Sequence, residues 1–207
     1  MATPSNTTST TDTIHDGRPR CGWVSDDPLY VRYHDDEWGV PVHDDAALFE
    51  MLTLEGAQAG LSWLTVLRRR EGYRRAFKKF NPRVVARFDA KDVERIMLDE
   101  GVVRHRQKIE SVLNNAGVIV ALQETHGTFD AYLWSLGSGA PHETSSSMSK
   151  QLQRDGFKFV GATICHSLRQ ATGMVNDHER DCFRRREIET LAETRPRRSR
   201  DRPRAQR

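Results

Sequence analysis

From residue 44 to residue 173 apolar side chains recur at three- and four-residue spacings, and strand-like alternation is nearly absent. A chain patterned this way buries its apolar surface by packing helix on helix, so the spacing predicts an all-α fold. The punctuation agrees. Asp44 or Asp45 can cap a helix carrying Leu48, Met51 and Leu52, and Gly60 breaks it. Ser62 offers the cap of a second helix with Trp63, Val66 and Leu67 on one side. Asn81-Pro82 opens a short helix, since proline is tolerated at the first helical position. Asp89 caps another that carries Val93, Ile96 and Met97 and stops at Gly101. Helical spacing continues over 104–123 and 129–136. Residues 137–147, GSGAPHETSSS, read as a loop, and helices over about 148–154 and 162–173 flank DGFKFVG.

The tails differ from this core. Residues 1–19 are Thr/Ser-rich without an apolar run and read as a disordered tail with no secretory signal. Residues 184–207 hold ten Arg against four acidic residues and read as a basic, disordered tail. One domain is expected over 20–183. The whole chain carries a formal charge of +3, but the C-terminal tail alone carries +6, leaving residues 21–183 at −3. Any grip of the core on nucleic acid must then come from a local patch. The tail could add salt-sensitive phosphate attraction, or be only a solvated end. No apolar run is long enough for a membrane span. Cys21, Cys165 and Cys182 are odd in number and far apart, which argues against a disulfide framework and for a cytoplasmic protein with free or metal-bound thiols.

Within LEGAQAGLSW, Glu55 falls seven residues after Leu48, four after Met51 and three after Leu52, on the face those residues turn to the core. An unpaired carboxylate there costs several kcal/mol by order of magnitude. It could pair with a buried Arg, the periodicity could be off by one position, or it could face a cavity and accept hydrogen bonds from a ligand. The neighbours favour the cavity. Gly56, Ala57, Ala59 and Gly60 permit close approach, and Trp63 lies near the same side. Upstream, Trp23, Tyr30, Tyr33 and Trp38 cluster in a polar segment punctuated by Pro and Gly, which argues against a buried helix there. Aromatic faces with one carboxylate suit a flat base, and a cationic one better.

Cys21 and His34 precede the core, and His178 and Cys182 close it as H-x3-C. Such a Cys2His2 set suits one structural zinc ion clamping the two ends, although the spacing is not a common finger pattern. Cys165 is left as a core thiol. In MSKQLQRDGFKFVGATICHSL a polar helix, a turn bounded by Gly156 and Gly161, and a helix opening at Ala162-Thr163 make a helix-hairpin-helix layout over about 148–173. Its turn amides could hold a DNA phosphate, with charge from Lys158. An ordinary loop between two helices would read the same way.

Taken together, RCGW, DPLYVRYHDDEWGVP, LFEMLTLEGAQAGLSW, RHRQKI, GFKFVGATIC and VNDH resemble the DNA-3-methyladenine glycosylase I family of the helix-hairpin-helix superfamily. The likeness runs from about Arg20 to Cys182. It implies a helix-hairpin-helix glycosylase domain acting as a monomer on double-stranded DNA with alkylated bases in the bacterial cytoplasm. It implies that Trp23, Tyr30, Tyr33, Trp38 and Trp63 line the base pocket and that Glu55 hydrogen-bonds the flipped 3-methyladenine. Cys21, His34, His178 and Cys182 match the family's zinc ligands. The Ala59-Gly60-Leu61 turn would enter the DNA where the base has left. Gly156, Lys158, Gly161 and Thr163 would grip the backbone. No redox cofactor and no catalytic metal are implied. Ala57 stands where relatives often carry a polar residue, the 137–147 loop looks short, and both tails look like additions. The aspartate that many superfamily members use after their hairpin has no counterpart, with Asn176-Asp177 read as helix-end residues. Lys158, between two Phe in the turn, reads as a phosphate contact, so a glycosylase without lyase activity is expected. The competing reading is a non-enzymatic, zinc-stabilised DNA-binding module, which would not need an inward Glu among aromatics. A zinc deaminase needs H-x-E with P-C-x-x-C, and the chain has neither.

Overall fold

A computed structural model describes residues 16–138 and 141–194, with the side chains of 141–143 and 192–194 left aside. The expected tails at 1–15 and 195–207 lie outside the described residues. The described residues contain helices and no strand, and no helix is long and apolar enough to cross a membrane.

In chain order the α-helices are α1 (Pro28–Arg32), α2 (Asp45–Gln58), α3 (Trp63–Leu67), α4 (Arg70–Ala76), α5 (Pro82–Val85), α6 (Ala90–Met97), α7 (Arg106–His126), α8 (Phe129–Gly137), α9 (Pro141–Arg154), α10 (Ala162–Ala171) and α11 (Phe183–Thr194). A π-helical turn, Tyr33–Glu37, continues α1, and a 3-10 turn, Lys78–Phe80, follows α4.

The centre of the fold is α2. Every residue from Leu48 to Ala57 is buried, and α3, α7, α8 and α10 pack around it. The sequence reading gave α2 one core face; a helix enclosed on all sides shows no contrast between faces. Its entry is set by Asp44, whose Oδ1 accepts from Ala47 N at 2.8 Å. Asp45 serves another helix and accepts from Phe129 N and Asp130 N at the start of α8. Ser62, Asn81 and Asp89 cap α3, α5 and α6 as expected, and α6 ends at Met97, short of Gly101.

Three expectations are corrected. Residues 141–147 of the expected loop belong to α9, which starts at Pro141 and buries Ser145 and Met148. The polar run hides a helix because only a few of its positions face the core. The segment around Tyr30 and Tyr33 is helical: Asp27 caps α1, Pro28 opens it, and the π turn buries Tyr33 and His34. Residues 184–194, expected as disordered tail, are part of α11, which inserts Ile188 into the interior.

Candidate active site

Glu55 is 3% exposed near the C-terminal end of α2. No ion pair reaches it among the described residues. The buried arginine nearest in kind, Arg169, instead donates to Gly137 O at 2.7 Å and Ser145 Oγ at 2.9 Å. Glu55 Oε2 has no hydrogen-bond partner, and neither has Trp63 Nε1. Burial alone pushes the Glu55 carboxyl up to about 8. An acceptor and a donor, both buried and both unused, are costly unless something else satisfies them.

Both line one cavity of about 250 Å³. Its aromatic wall is Trp23, Tyr30, Tyr33, Trp38 and Trp63, the five expected residues. Trp23 meets Tyr30 at 5.2 Å and Trp38 at 5.0 Å between ring centroids, and Tyr33 meets Trp63 at 5.3 Å. Burial, with the Glu55 carboxyl next in weight, holds the Tyr33 hydroxyl well above its usual range and so keeps it a neutral donor. The rest of the lining escaped the sequence reading: Gln58, Ser167, Gln170, Asp177 and Glu179. Asp177 is no helix-end residue, because α10 ends at Ala171 and the chain runs on before Asp177 accepts from Gln170 Nε2 at 2.9 Å. Only Gln58, three residues beyond Glu55, had a local signal. The small residues beside Glu55 serve another contact: a Cβ on Gly56 would lie 3.4 Å from Phe159 Cβ, so α2 meets the hairpin there.

The cavity shares its aromatic wall with the Cys/His set. Donor atoms of Cys21, His34, His178 and Cys182 all lie within 4.8 Å of one another, and all four residues are buried. His178 Nδ1 is 3.5 Å from Cys21 Sγ and 3.4 Å from Cys182 Sγ, while its Nε2 meets Trp38 O at 3.1 Å. His34 Nε2 is 3.4 Å from Cys182 Sγ, and its Nδ1 meets Asp35 Oδ1 at 2.8 Å. Arg20 holds Asp35 in turn, with Nη2 to Oδ2 at 2.6 Å. Each imidazole thus turns one nitrogen inward and anchors the other, the arrangement metal-ligating histidines need. Burial lowers both imidazoles, His178 to about 4, which keeps them neutral, and pushes the Cys21 thiol up to about 12. A buried cation would reverse the penalty on the thiols. The backbone makes room for this junction at Gly173 (φ +73°), where a Cβ would sit 2.6 Å from Gly39 O. The cluster can hold a metal ion.

The two turns expected to meet DNA are both at the surface. Gln58–Leu61 close a turn through Leu61 N to Gln58 O at 2.6 Å, with Ala59 at φ −47°, ψ 113° and Gly60 at φ +81°. This is type II geometry, which requires positive φ at the Gly60 position. Leu61 is 40% exposed. In the hairpin, Gly156 (φ +95°) and Phe159 (φ +55°) bend the chain while Phe157 and Val160 are buried anchors. Lys158, Gly161 and Thr163 are exposed, and α10 starts at Gly161 without a side-chain cap.

Residues 23–185 match the model of the methyladenine glycosylase family. The chain is 48% identical to DNA-3-methyladenine glycosylase 1 of Escherichia coli over 177 residues, covering 79% of this chain and 95% of that protein. It is 40% identical to DNA-3-methyladenine glycosylase of Haemophilus influenzae, covering 79% and 96%. Among solved structures, a 3-methyladenine DNA glycosylase I superposes with a TM-score of 0.76 at 46% identity, over 80% of this chain and 98% of that one. A variant of a 3-methyladenine DNA glycosylase I solved in complex with 3-methyladenine superposes at 0.74 with 37% identity, over 79% and 95%.

Proposed function

This chain belongs to the methyladenine glycosylase family, and from that premise we propose how its cavity does the family's chemistry. The protein is a base-excision repair glycosylase that hydrolyses the N-glycosidic bond of 3-methyladenine in alkylated DNA. The observation that carries the site assignment is the pair of unsatisfied groups, Glu55 Oε2 and Trp63 Nε1, on two residues that line one aromatic cavity.

Methylation at N3 gives the adenine base a positive charge and makes it a good leaving group, so little proton donation is needed. The enzyme has to extrude the base, hold it and favour water attack on the sugar. Adenine carries an N6 amino donor and an N7 acceptor, the complement of an unused carboxylate oxygen and an unused indole N–H. Glu55, whose carboxyl burial raises to about 8, ionises against a cationic base, because attraction in a dry site is strong. Unmodified adenine brings no charge to offset that ionisation and gains less from the aromatic faces. Glu55 is thus the lesion reader and can stabilise charge at the sugar. No lysine lines the cavity among the described residues, which supports hydrolysis without a Schiff base and without strand cleavage. Borohydride should trap no covalent adduct with alkylated DNA.

The Cys2His2 cluster fits zinc by donor chemistry, burial and the anchored outer nitrogens. Cys21, His34, His178 and Cys182 would hold it, and a closed set of four protein ligands makes it structural: it would cross-link the N-terminal segment to the segment after α10. Leu61 at the type II turn enters the duplex. Gly156, Lys158, Gly161 and Thr163, with the uncapped amides of α10, hold the phosphate backbone. The domain, which runs from about residue 20 through α11, works as a monomer on double-stranded DNA in the bacterial cytoplasm.

The test is release of free bases from methylated duplex DNA, resolved by chromatography. Release of 3-methyladenine with 7-methylguanine left in place is expected. Tight binding without release would instead identify a non-enzymatic, zinc-stabilised DNA-binding module.

A further inference from the structure

Lys108 stands on the first turn of α7, next to the amide end of its own helix, where a cation is disfavoured by the helix dipole. Its ammonium leaves that helix and donates to Ala57 O at 2.9 Å and Ala59 O at 2.6 Å. Those carbonyls end α2, where a cation is favoured and orphan acceptors need donors. They also flank Gln58 and lead into the type II turn that presents Leu61. Seven residues along the same face of α7, Asn115 accepts from Lys158 N at 2.8 Å and donates to Lys158 O at 3.0 Å, fixing the hairpin turn. One helix therefore holds both surface turns. Desolvation lowers the Lys108 ammonium, as its half-enclosed position between α2 and α7 requires.

We propose that Lys108 is a positioning residue for base extrusion: by tying the end of α2 to α7 it fixes the turn from which Leu61 enters the duplex, at a set distance from the hairpin. Lys108 does not line the base cavity, so its action runs through Leu61 and not through recognition of the extruded base. The inference rests on the glycosylase reading above.

Three quantities test it: excision of 3-methyladenine from duplex DNA, affinity for free 3-methyladenine, and thermal midpoint. Lys108→Met keeps the aliphatic stem and removes the donors. Duplex excision should fall about tenfold, as misplacement of a positioning element does, with free-base affinity unchanged. In a Leu61→Ala background the same substitution should cost less than about twofold, because two residues acting as one unit are not additive. Lys108→Gln carries the same expectation should the Met variant not fold. An equal loss in both backgrounds, a matching loss of free-base affinity, or wild-type excision by folded variants would overturn the proposal. If the wild type itself releases no base from duplex DNA, it is the glycosylase reading that fails.

Discussion

Helix α2 buries two glutamates five residues apart and treats them oppositely. At one end Glu50 accepts from Arg70 Nε and, at 2.9 Å, from Arg74 Nε, with Glu37 sharing Arg70. At the other end Glu55 has an oxygen with no hydrogen-bond partner and lines a cavity walled largely by aromatic rings. The first is a charge satisfied by the fold. The second is a buried acid that burial holds protonated to higher pH, with an oxygen that the described fold leaves unpaired. Burial alone thus separates neither role; the partner list does.

The Cys/His cluster extends the comparison to four buried residues whose donor atoms converge within 4.8 Å of one another. Cys21→Ser, or prolonged chelation, should produce the largest effect, lowering the thermal midpoint by roughly 10 °C or more, since structural metal binding is folding free energy. Lesion choice in the remaining folded protein should not change. Metal analysis finding no zinc in well-folded protein would remove the cluster from this scheme.

Glu50→Gln comes next. It breaks a partly buried network and leaves two arginines short of a counter-charge, so unfolding free energy should drop by about 2 kcal/mol in denaturant titration. Excision per folded molecule should stay at the wild-type rate; a large loss would mean that the two ends of α2 do not have separate duties.

Counted per pH unit, the smallest effect is in the pH dependence. The Glu55 carboxyl is raised from 4.5 to about 8 in the folded protein, so between those values the folded state keeps a proton that the unfolded state gives up. Stability supplied by the neutral acid is complete below pH 4.5 and is lost as pH rises toward 8. Glu55→Gln lacks that loss. Its stability relative to wild type should grow across the window, on the order of 1 kcal/mol per pH unit at most. Parallel profiles for the two proteins would show that Glu55 is not the desolvated acid described here.

Much of this was legible in the chain itself. Glu55 was visible because a carboxylate interrupted an apolar face, and the five aromatics and four metal-ligand candidates were visible by residue type. The all-helical class followed from spacing and caps. What stayed hidden has physical reasons. Ser167 and Gln170 on α10, and Asp177 and Glu179 on the path after it, are ordinary polar residues that nothing local marks. Lys108 looked like one more basic residue in RHRQKI, because its partners are backbone carbonyls about fifty positions away in sequence. The helices α9 and α11 were masked by polar composition, with burial confined to a few side chains such as Met148 and Ile188.

The most direct test of the central claim is a paired measurement on Glu55→Gln: release of 3-methyladenine from methylated duplex DNA, and the thermal midpoint at pH 8. The account predicts release slowed by about a hundredfold or more, on the scale of losing a group that stabilises charge in a dry site, with a midpoint equal to or above wild type. Release at the wild-type rate, or a midpoint well below wild type, would contradict it and make Glu55 a structural acid.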